Sequence, residues 1–479
     1  MSTFAGALEG ARETASADAP RGISLPWLPL APLLAIPILG TSPERLELVV
    51  LGVQAIFLLM ALRNPVWVLG ALALSEFTIR NYELILPAAA LIAMGHALVD
   101  ADLGPRARAM TITAGLFLSL AVASTLVADA ALIGELLRSY APDIAIMLMI
   151  PLVIRDRHSF LQAGLVALIV ATASAAVALS QQVIEPRFLS VPHNTVVNVD
   201  LADWGSRALG LDLSPILLSD HLMLLLFPTV GVLLMRGVSS RGSGFLLLAA
   251  VLAMGGALFF TETRSWVFSA AAALIAMALL LRGRTGGELI LLMLLVAGGF
   301  LFWADQSGSR YALGPDSDGS AAARPVLWTA ALNMAMDHPV LGVGYDQFKE
   351  LSPSYANNIG KALLDRQNAG TILGRESPHN DFLSAWVSFG TGGLMLYVLM
   401  MWFIARNFLH ALGRFRDPLM KGIALGCFGA LVAFAVNSSF HNLFTSALTF
   451  WILAGASLAL TKLAQREPDG EPADGPKGD

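Results

Sequence analysis

Three polar points of this chain have residue types suited to binding an anion and moving a proton. They are Arg207, Arg264 and the segment Ser377-Pro378-His379-Asn380. A guanidinium group can hold a phosphate through two parallel hydrogen bonds, and an imidazole can act as a general base near neutral pH. Because the rest of the chain is mostly apolar, these groups would form a site for a lipid-linked anion if they lie on one side of a membrane.

The composition indicates the broad class of protein. Of 479 residues, 56% are apolar and 14% are charged, and the mean hydropathy is +0.67. A soluble domain has roughly a quarter of charged residues, so the sequence predicts a polytopic membrane protein. The apolar runs are continuous and lack the alternation of barrel strands, which favours an all-α fold. The single cysteine, Cys427, excludes an intrachain disulfide, and no basic tract indicates nucleic-acid binding.

We expect about 12–14 transmembrane helices, because a helix needs about 20 apolar residues to cross a bilayer. The candidate segments are residues 23–40, 46–62, 65–79, 82–99, 109–129, 141–154, 159–181, 214–235, 243–261, 264–281, 287–304, 382–405, 419–437 and 442–461. The chain is predicted to begin with a disordered tail (1–22), which lacks a signal-peptide pattern, and to end with another (462–479). About eleven transmembrane helices are expected in residues 23–304, with an external loop near 182–214. A large external loop with short helices (305–381) and three further transmembrane helices (382–461) follow.

The positions of lysine and arginine orient these helices. With the N-terminus inside, eighteen of the 30 Lys and Arg residues lie in inside segments and four lie in short outside connections. The others lie in the two long outside loops, where the positive-inside rule is weak. This bias predicts that both termini face the cytoplasm. Arg207, Arg264 and His379 then share the outer face.

The arginines and the polar residues near them also have structural explanations. Arg264 begins a predicted span at the outer lip of the bilayer, where it either binds an anion or extends to lipid headgroups beside Glu262. Arg207 precedes the eighth span, and a lone arginine in a long loop is usually solvated. Asp220 and His221 lie a turn or two into that span, which indicates either function or a local polar contact.

His379 is the most informative titratable group. It precedes the predicted twelfth span, so the positive end of the helix dipole favours its neutral, proton-accepting form. The structural alternative is that His379 or Asn380 caps the helix. Arg324 and Trp328 are auxiliary candidates for a phosphate or sugar contact, and the alternative for Trp328 is an anchor at the membrane interface.

Other polar motifs carry less weight. Asp316-Ser317-Asp318 has the spacing of a metal-binding pair, but in a Gly- and Ser-rich outside loop we interpret it as a solvated turn, and we expect neither metal nor cofactor. His441-Asn442 is interpreted as a helix cap in preference to part of the site. In the large loop, Arg324-Pro325 predicts the start of a helix, and Gly342 and Gly344 predict a tight turn.

The chain resembles the O-antigen ligase and polysaccharide polymerase superfamily of bacterial inner-membrane proteins over about residues 200–440. The matching segments are Arg324 with Trp328, HPVLGVGYDQF (338–348), SPHNDFLSAWVSFGTGG (377–393), TETRSWV around Arg264 and RALG at Arg207. Trp266 departs from the family pattern, in which a small residue usually follows the arginine at the start of the span.

The resemblance implies an enzyme that transfers a glycan from undecaprenyl diphosphate to an acceptor hydroxyl, at the periplasmic face and without metal or nucleotide. It implies inversion at the anomeric carbon. The implied site residues are Arg207 and Arg264 for the diphosphate, His379 for catalysis, and Arg324, Asn380 and Trp328 as auxiliary contacts. The implied partners are a lipid-linked glycan donor, an acceptor glycan or lipid A-core, membrane lipids and envelope polysaccharide assembly proteins.

The acceptor and two other functions stay open at this point. The long chain and its large loop favour a polymerase for O-antigen or exopolysaccharide, and a ligase acting on lipid A-core is the alternative. A flippase for lipid-linked sugar predicts charged residues deep within the spans and an inverted repeat. The sequence has few such charged residues and no visible repeat. A non-catalytic scaffold predicts that His379 and Arg264 are dispensable.

Overall fold

The protein is all-helical in every segment that the structure describes. The computed structural model describes residues 43–76, 82–97, 104–184, 207–238, 240–281, 286–287, 290–291, 319–358 and 372–467. The α-helices within these ranges are α1 (Pro43–Ala61), α2 (Trp67–Glu76), α3 (Tyr82–Ala97), α4 (Gly104–Ala128), α5 (Ile133–Val153), α6 (Arg157–Val183), α7 (Pro215–Leu234), α8 (Arg241–Phe260), α9 (Arg264–Leu281), α10 (Gly319–Asp337), α11 (Phe348–Leu351), α12 (Asp381–Arg414), α13 (Pro418–Asn437) and α14 (Thr449–Gln465). The predicted fold class is confirmed.

Eight of the described helices are long and apolar enough to cross a membrane, namely α4 to α9, α12 and α13. The shorter helices α1 and α2 are also apolar. The protein is therefore a multi-pass membrane protein. The predicted span 23–40 and most of the span 287–304 lie outside the described residues, as does the predicted tail 1–22, so the total number of spans stays a prediction.

Two element boundaries differ from those expected. Helix α14 begins at Thr449 and not at residue 442, because N–H groups of the preceding segment donate to the side chains of Asp381 and Glu76 instead of joining a helix. It ends at Gln465, inside the predicted tail. Pro325 lies within α10 and not in its first turn, because the helix begins at Gly319. Three alanines precede Arg324 and favour a helix strongly enough to extend it on the N-terminal side of the proline.

Glycines let α7 and α13 approach each other closely. A Cβ atom at Gly231 of α7 would clash with the carbonyl oxygen of Gly422, and a Cβ atom at Gly426 would clash with the carbonyl oxygen of Phe227. Gly422 and Gly426 are four residues apart on α13, the spacing at which small residues often mediate helix packing in membranes. This contact fixes α13 and the direction in which the chain leaves it.

Helix α12 is broken where the large loop docks against it. Phe389 (φ −128°, ψ 15°) and Gly390 (φ 69°, ψ −173°) have non-helical backbone conformations. The N–H of Val343 donates to the carbonyl oxygen of Val387 at 2.8 Å, so the loop pairs with backbone groups near the break. The hydroxyl of Ser124 on α4 donates to the carbonyl oxygen of Ser388 at 2.7 Å. Pairing of this kind is what allows irregular backbone within a membrane protein.

The predicted turn at Gly342 and Gly344 is confirmed, because both residues have positive φ angles, 70° and 90°. A Cβ atom at Gly342 would clash with the carbonyl oxygen of Val387. Helix α10 and the turn share a small apolar core with the first half of α12, in which Leu327 and Phe348 are buried. The described part of the large loop is thus an ordered cap on the start of α12.

The helices bring their ends together at two separate faces of the bundle. At one face, Arg157 at the start of α6 forms a 2.7 Å ion pair with Asp417 before α13, and Lys462 near the end of α14 donates to the carbonyl oxygen of Pro151 at 3.0 Å. We call this face the basic end. The face that carries the start of α12 and the α8–α9 turn is the site end.

The break in α12 gives the first prediction. Gly390→Ala places a Cβ atom against the backbone of Val340 at a left-handed φ angle, and we expect it to destabilise the protein by about 1 kcal/mol or more. Gly413→Ala, in the last turn of the same helix, meets no atom within 4 Å and is expected to be neutral or stabilising. Thermal unfolding of both variants in detergent tests this, and equal melting temperatures would refute the role given to Gly390.

Candidate functional site

Arg207 and Arg264 meet at the turn between α8 and α9. The Arg207 guanidinium is buried, and it donates from Nε to the carbonyl oxygen of Thr261 at 2.8 Å and from Nη2 to Thr263 Oγ1 at 2.9 Å. Arg264 is the first residue of α9 and is half-buried. The two arginine motifs of the sequence therefore fold as one unit.

A non-helical segment, Ser438–Leu448, lies against this unit, and we call it the α13–α14 segment. The imidazole of His441 is buried there, with Nε2 2.9 Å from Oγ of Ser265, the second residue of α9. The ring of Phe440 stacks on the ring of Phe268 with centroids 6.2 Å apart. The α13–α14 segment thus contacts α9 directly beside Arg264.

Phe440 also connects this segment to the large loop. The Arg324 guanidinium carbon lies 5.9 Å from the centroid of the Phe440 ring, and the Trp328 ring lies 6.4 Å from it. The indole N–H of Trp328 donates to the carbonyl oxygen of Pro378 at 3.0 Å. Both auxiliary candidates therefore lie at the site end, and Trp328 holds the backbone immediately before His379.

His379 pairs with a carboxylate. Its Nε2 lies 3.3 Å from Oε2 of Glu376, and its side chain is 38% exposed. The φ angle of His379 is 49°, and Glu262 in the α8–α9 turn has the same value. Residues other than glycine rarely adopt this conformation. It costs of order 1–3 kcal/mol per residue and often occurs at functional sites. Arg236 and Asp346 also have positive φ angles, so this strain agrees with a site here but does not identify it alone.

Asn380 caps α12, and His379 does not. The side-chain oxygen of Asn380 accepts a hydrogen bond from the N–H of Leu383 at 3.1 Å. The N–H of Asn380 donates to Oδ1 of Asn442 at 3.0 Å, and Ser384 Oγ donates to the same oxygen at 3.1 Å. The prediction that His441-Asn442 caps a helix is wrong, because α14 begins only at Thr449 and Asn442 bonds to α12 instead.

Asp381 is the buried contact that fixes the α13–α14 segment. Its Oδ2 atom accepts hydrogen bonds from the N–H groups of Leu443 and Phe444, at 3.1 and 3.0 Å. Its own N–H donates to the carbonyl oxygen of Ser438 at 2.8 Å. One residue at the start of α12 thereby satisfies three backbone groups of a buried, non-helical segment.

Asp220 and His221 belong to a second buried polar cluster. His221 Nδ1 lies 2.8 Å from Oδ1 of Asp212, and its Nε2 lies 3.0 Å from Oε1 of Glu76. The N–H of Leu448 donates to the same Glu76 oxygen at 2.9 Å, while Asp220 accepts a hydrogen bond from the last residue of α13 at 3.3 Å. The polar-contact explanation therefore accounts for both residues, and the cluster fixes the far end of the α13–α14 segment.

Positive charge surrounds the buried imidazole of His441. Burial lowers the pKa of His441 well below its usual value, and the charges of Arg324, His379 and Arg207 lower it further, in that order. His441 is therefore neutral at pH 7. The hydrogen bond with His379 lowers the pKa of Glu376 against the opposing effect of partial burial, and the charges of His379 and Arg324 add to this lowering. Glu376 is accordingly an ionised partner for His379.

All six site residues expected from the sequence lie at the site end. The sequence analysis did not identify Glu376 or Asp381 as site residues, and it interpreted His441 as a helix cap in preference to part of the site. The Glu-x-x-His spacing at 376–379 was a readable signal for the first of these. No sequence signal shows which backbone N–H groups face Asp381, because they come from a segment 62 residues later in the chain. The Asp316-Ser317-Asp318 motif lies outside the described residues.

Comparison with known proteins gives one family match, which covers about a third of the chain. Residues 249–398 match the family model described as O-Antigen ligase. No curated protein matches the chain. The match contains Arg264, Arg324, Trp328, His379 and Asn380, whereas Arg207 and His441 lie outside it.

The hydrogen bonds between Asp381 and the α13–α14 segment give a stability prediction. Asp381→Ala removes the acceptor of two buried N–H groups, and we expect a loss of about 2 kcal/mol or more in the free energy of unfolding, since each buried donor left without a partner costs about 1–3 kcal/mol. Thermal unfolding in detergent measures the loss. Glu350→Ala, which removes an exposed carboxylate of the large loop, is the control and should change stability little. Equal losses for the two variants would contradict this role.

The neutral state of His441 gives a pH prediction. The unfolded histidine binds a proton below its pKa of about 6.5, whereas the folded one does not until the pH is lower. Stability should therefore fall as the pH is lowered from 7 to 5, by up to about 1.4 kcal/mol per pH unit from this group. Melting temperatures across this range should fall less steeply for His441→Gln, while exposed His158→Gln should follow the wild type. An unchanged slope for His441→Gln would refute the prediction.

Proposed function

We propose, from the O-Antigen ligase domain that the chain carries in residues 249–398, that it transfers a glycan from a polyprenyl diphosphate to an acceptor hydroxyl at the outer face of the membrane. The observation that carries this proposal is the convergence of arginines at the start of α9: Arg207 donates to Thr263 at 2.9 Å, directly before Arg264, and Arg324 lies 5.9 Å from the ring of Phe440 in the adjoining α13–α14 segment. Clustered cations stabilise a diphosphate leaving group, and a positioned imidazole accepts a proton.

Arg264 makes the direct contact with the donor diphosphate in this proposal. It is half-buried at the start of a membrane-spanning helix, at the depth where a polyprenyl headgroup lies, and its guanidinium can hold two phosphate oxygens. Arg207 holds the turn that precedes Arg264 and adds a second positive charge. Both charges favour the transition state, because negative charge grows on the diphosphate as it leaves.

An apolar surface on α9 suits the isoprenoid tail. Phe268, Ile275 and Leu279 are exposed, at 47%, 38% and 66%. They follow Arg264 at intervals of 4, 11 and 15 residues and thus lie on its face of the helix. At 1.5 Å per residue, this stripe extends about 22 Å from the arginine toward the basic end. A lipid tail on this stripe would leave its diphosphate at Arg264.

The proton transfer is assigned to His379. The imidazole of His379 accepts the proton of the acceptor hydroxyl, and the ionised Glu376 at 3.3 Å orients the ring and stabilises the imidazolium that forms. The acceptor oxygen bonds to the anomeric carbon as the carbon–oxygen bond to the diphosphate breaks, and the polyprenyl diphosphate leaves with both bonding electrons. Attack opposite the leaving group inverts the configuration.

For the acceptor, we propose a second lipid-linked repeat unit, which makes the protein a polymerase of O-antigen or exopolysaccharide. The large loop supports this choice, because its helix α10 caps the site end and carries Arg324 and Trp328 toward Phe440. These groups can hold the sugar of an acceptor above the membrane surface. Lipid A-core, the acceptor of a ligase, is the second candidate, and the matched family is described as O-Antigen ligase.

The catalytic assignment predicts that His379→Ala lowers glycan transfer by about 10²- to 10⁴-fold, the usual contribution of a general base. Arg264→Lys should impair transfer as well, because one ammonium group does not replace a bidentate guanidinium. Lipid-linked precursor should accumulate in cells at normal protein level. His158→Ala and Arg241→Lys, both exposed at the basic end, are the matched controls. Intact surface polysaccharide in the His379 and Arg264 variants would indicate a scaffold or flippase.

The acceptor assignment is tested with purified protein and a defined lipid-linked repeat unit. With the donor alone, a polymerase produces chains of two or more repeats, separated by gel electrophoresis or mass spectrometry. A ligase produces nothing until lipid A-core is added. We expect glycan chains of two or more repeats with the donor alone. The His379→Ala variant is the negative control. Product formed only with lipid A-core would replace the polymerase assignment by a ligase.

A further inference from the structure

A cavity at the basic end has a lining that the proposed glycan transfer does not explain. Its volume is ≈ 500 Å³, and it lies where the ends of α4, α12 and α14 meet. Its lining includes Arg106, Arg406, His410 and Arg414, and none of the described residues that line it is acidic. Three guanidinium groups and an imidazole thus share one cavity.

Helix dipoles account for only part of this arrangement. Arg406, His410 and Arg414 are spaced four residues apart on one face of α12, and only Arg414 lies in the last turn, where the negative end of the helix dipole favours a cation. Like charges at this spacing nevertheless repel one another. Arg106 lies in the first turn of α4, at the positive end of that helix, where a cation is unfavourable. An anion between the two helices would offset both effects.

The surroundings of the cavity suit a lipid. The Nε2 atom of His410 is buried and has no hydrogen-bond partner among the described residues. The guanidinium carbon of Arg406 lies 5.3 Å from the ring of Trp402, a residue type enriched at the membrane interface. Ile112 and Leu116 of α4 are 61% and 54% exposed and continue from the cavity toward the site end. Acyl chains can pack on these two side chains.

The cavity also lies at the level of lipid headgroups. The part of α12 that follows the break, residues 391–414, has 24 residues, a length of about 36 Å at 1.5 Å per residue. A bilayer core is only about 30 Å thick, so the turns that carry His410 and Arg414 reach the headgroup region. The charge bias of the sequence assigns this end to the cytoplasm, where the leaflet is rich in anionic lipids.

We propose that this cavity binds the phosphate headgroup of an anionic phospholipid of the cytoplasmic leaflet. Arg106 from α4 and Arg406 from α12 contact the phosphate from opposite helices, and His410 Nε2 accepts or donates a hydrogen bond at its base. The acyl chains lie against Ile112 and Leu116. A bound lipid would join α4 to the C-terminal half of α12, below the break at Gly390, and so stiffen the helix that carries the start of the site. The proposal does not depend on the reaction at the other end.

The test measures lipid binding by purified full-length protein in neutral detergent, by native mass spectrometry and by thermal unfolding. The probes are phosphatidylglycerol, phosphatidylcholine and inorganic phosphate at equal concentration. The wild type should retain phosphatidylglycerol and melt at a higher temperature with it than with either other probe. Arg106→Gln with Arg406→Gln should weaken this binding on the order of 30-fold, taking about 1 kcal/mol per basic residue. Arg63→Gln with Arg241→Gln removes two exposed arginines of the same end and should bind like the wild type.

Several outcomes would overturn the proposal. Equal weakening by the two double variants would indicate general attraction of the basic end, and equal stabilisation by inorganic phosphate would indicate a free-anion site. If the Arg106 and Arg406 variant does not fold, the wild type can be crosslinked with a photoactivatable phosphatidylglycerol. Labelling should then concentrate in peptides 105–116 and 399–414, and even labelling of the lipid-facing helices would exclude a specific site.

Discussion

The carboxylate of Asp381 makes the contact on which the rest of the site depends. It accepts two backbone hydrogen bonds from the α13–α14 segment, which has no helix of its own to satisfy its N–H groups. Within a membrane protein an unpaired backbone group costs several kcal/mol. The segment is therefore held to the start of α12, and it brings Phe440 and His441 between the arginine turn and the large loop. Without that anchor, the arginine turn would lose the segment that joins it to the start of α12 and to the large loop.

A second constraint follows from the break in α12. A straight helix would present one continuous face, whereas the break at Gly390 gives the first two turns a direction of their own. The loop around Gly342 and the hydroxyl of Ser124 supply the hydrogen bonds that this irregular backbone needs. The same glycine-rich turn positions α10, and with it Trp328. Fold and site are thus coupled, because the elements that repair the break also carry auxiliary residues to the site.

Sequence patterns predicted the helical class, most span positions and the common end of Arg264 and His379, since these follow from apolar length and alternation along the chain. They did not predict the α13–α14 segment, because an apolar run from residue 442 looks like a helix until buried partners compete for its N–H groups. The sequence did not predict the role of Asp381 either, because that role depends on the same buried contacts. Its partners lie 62 residues away, and the tertiary packing of α12 against α13 and α14 brings them close.

The two ends of the bundle have complementary roles in this account: the site end carries the groups proposed to transfer a glycan, and the basic end carries the groups proposed to bind lipid. The most direct test is cysteine accessibility in a Cys427→Ser background, with single cysteines at Glu262, Glu376 and Arg416. A membrane-impermeant maleimide added to intact spheroplasts should label positions 262 and 376, and position 416 only after permeabilisation. Labelling of 262 and 376 from opposite sides of the membrane would contradict the existence of a single site.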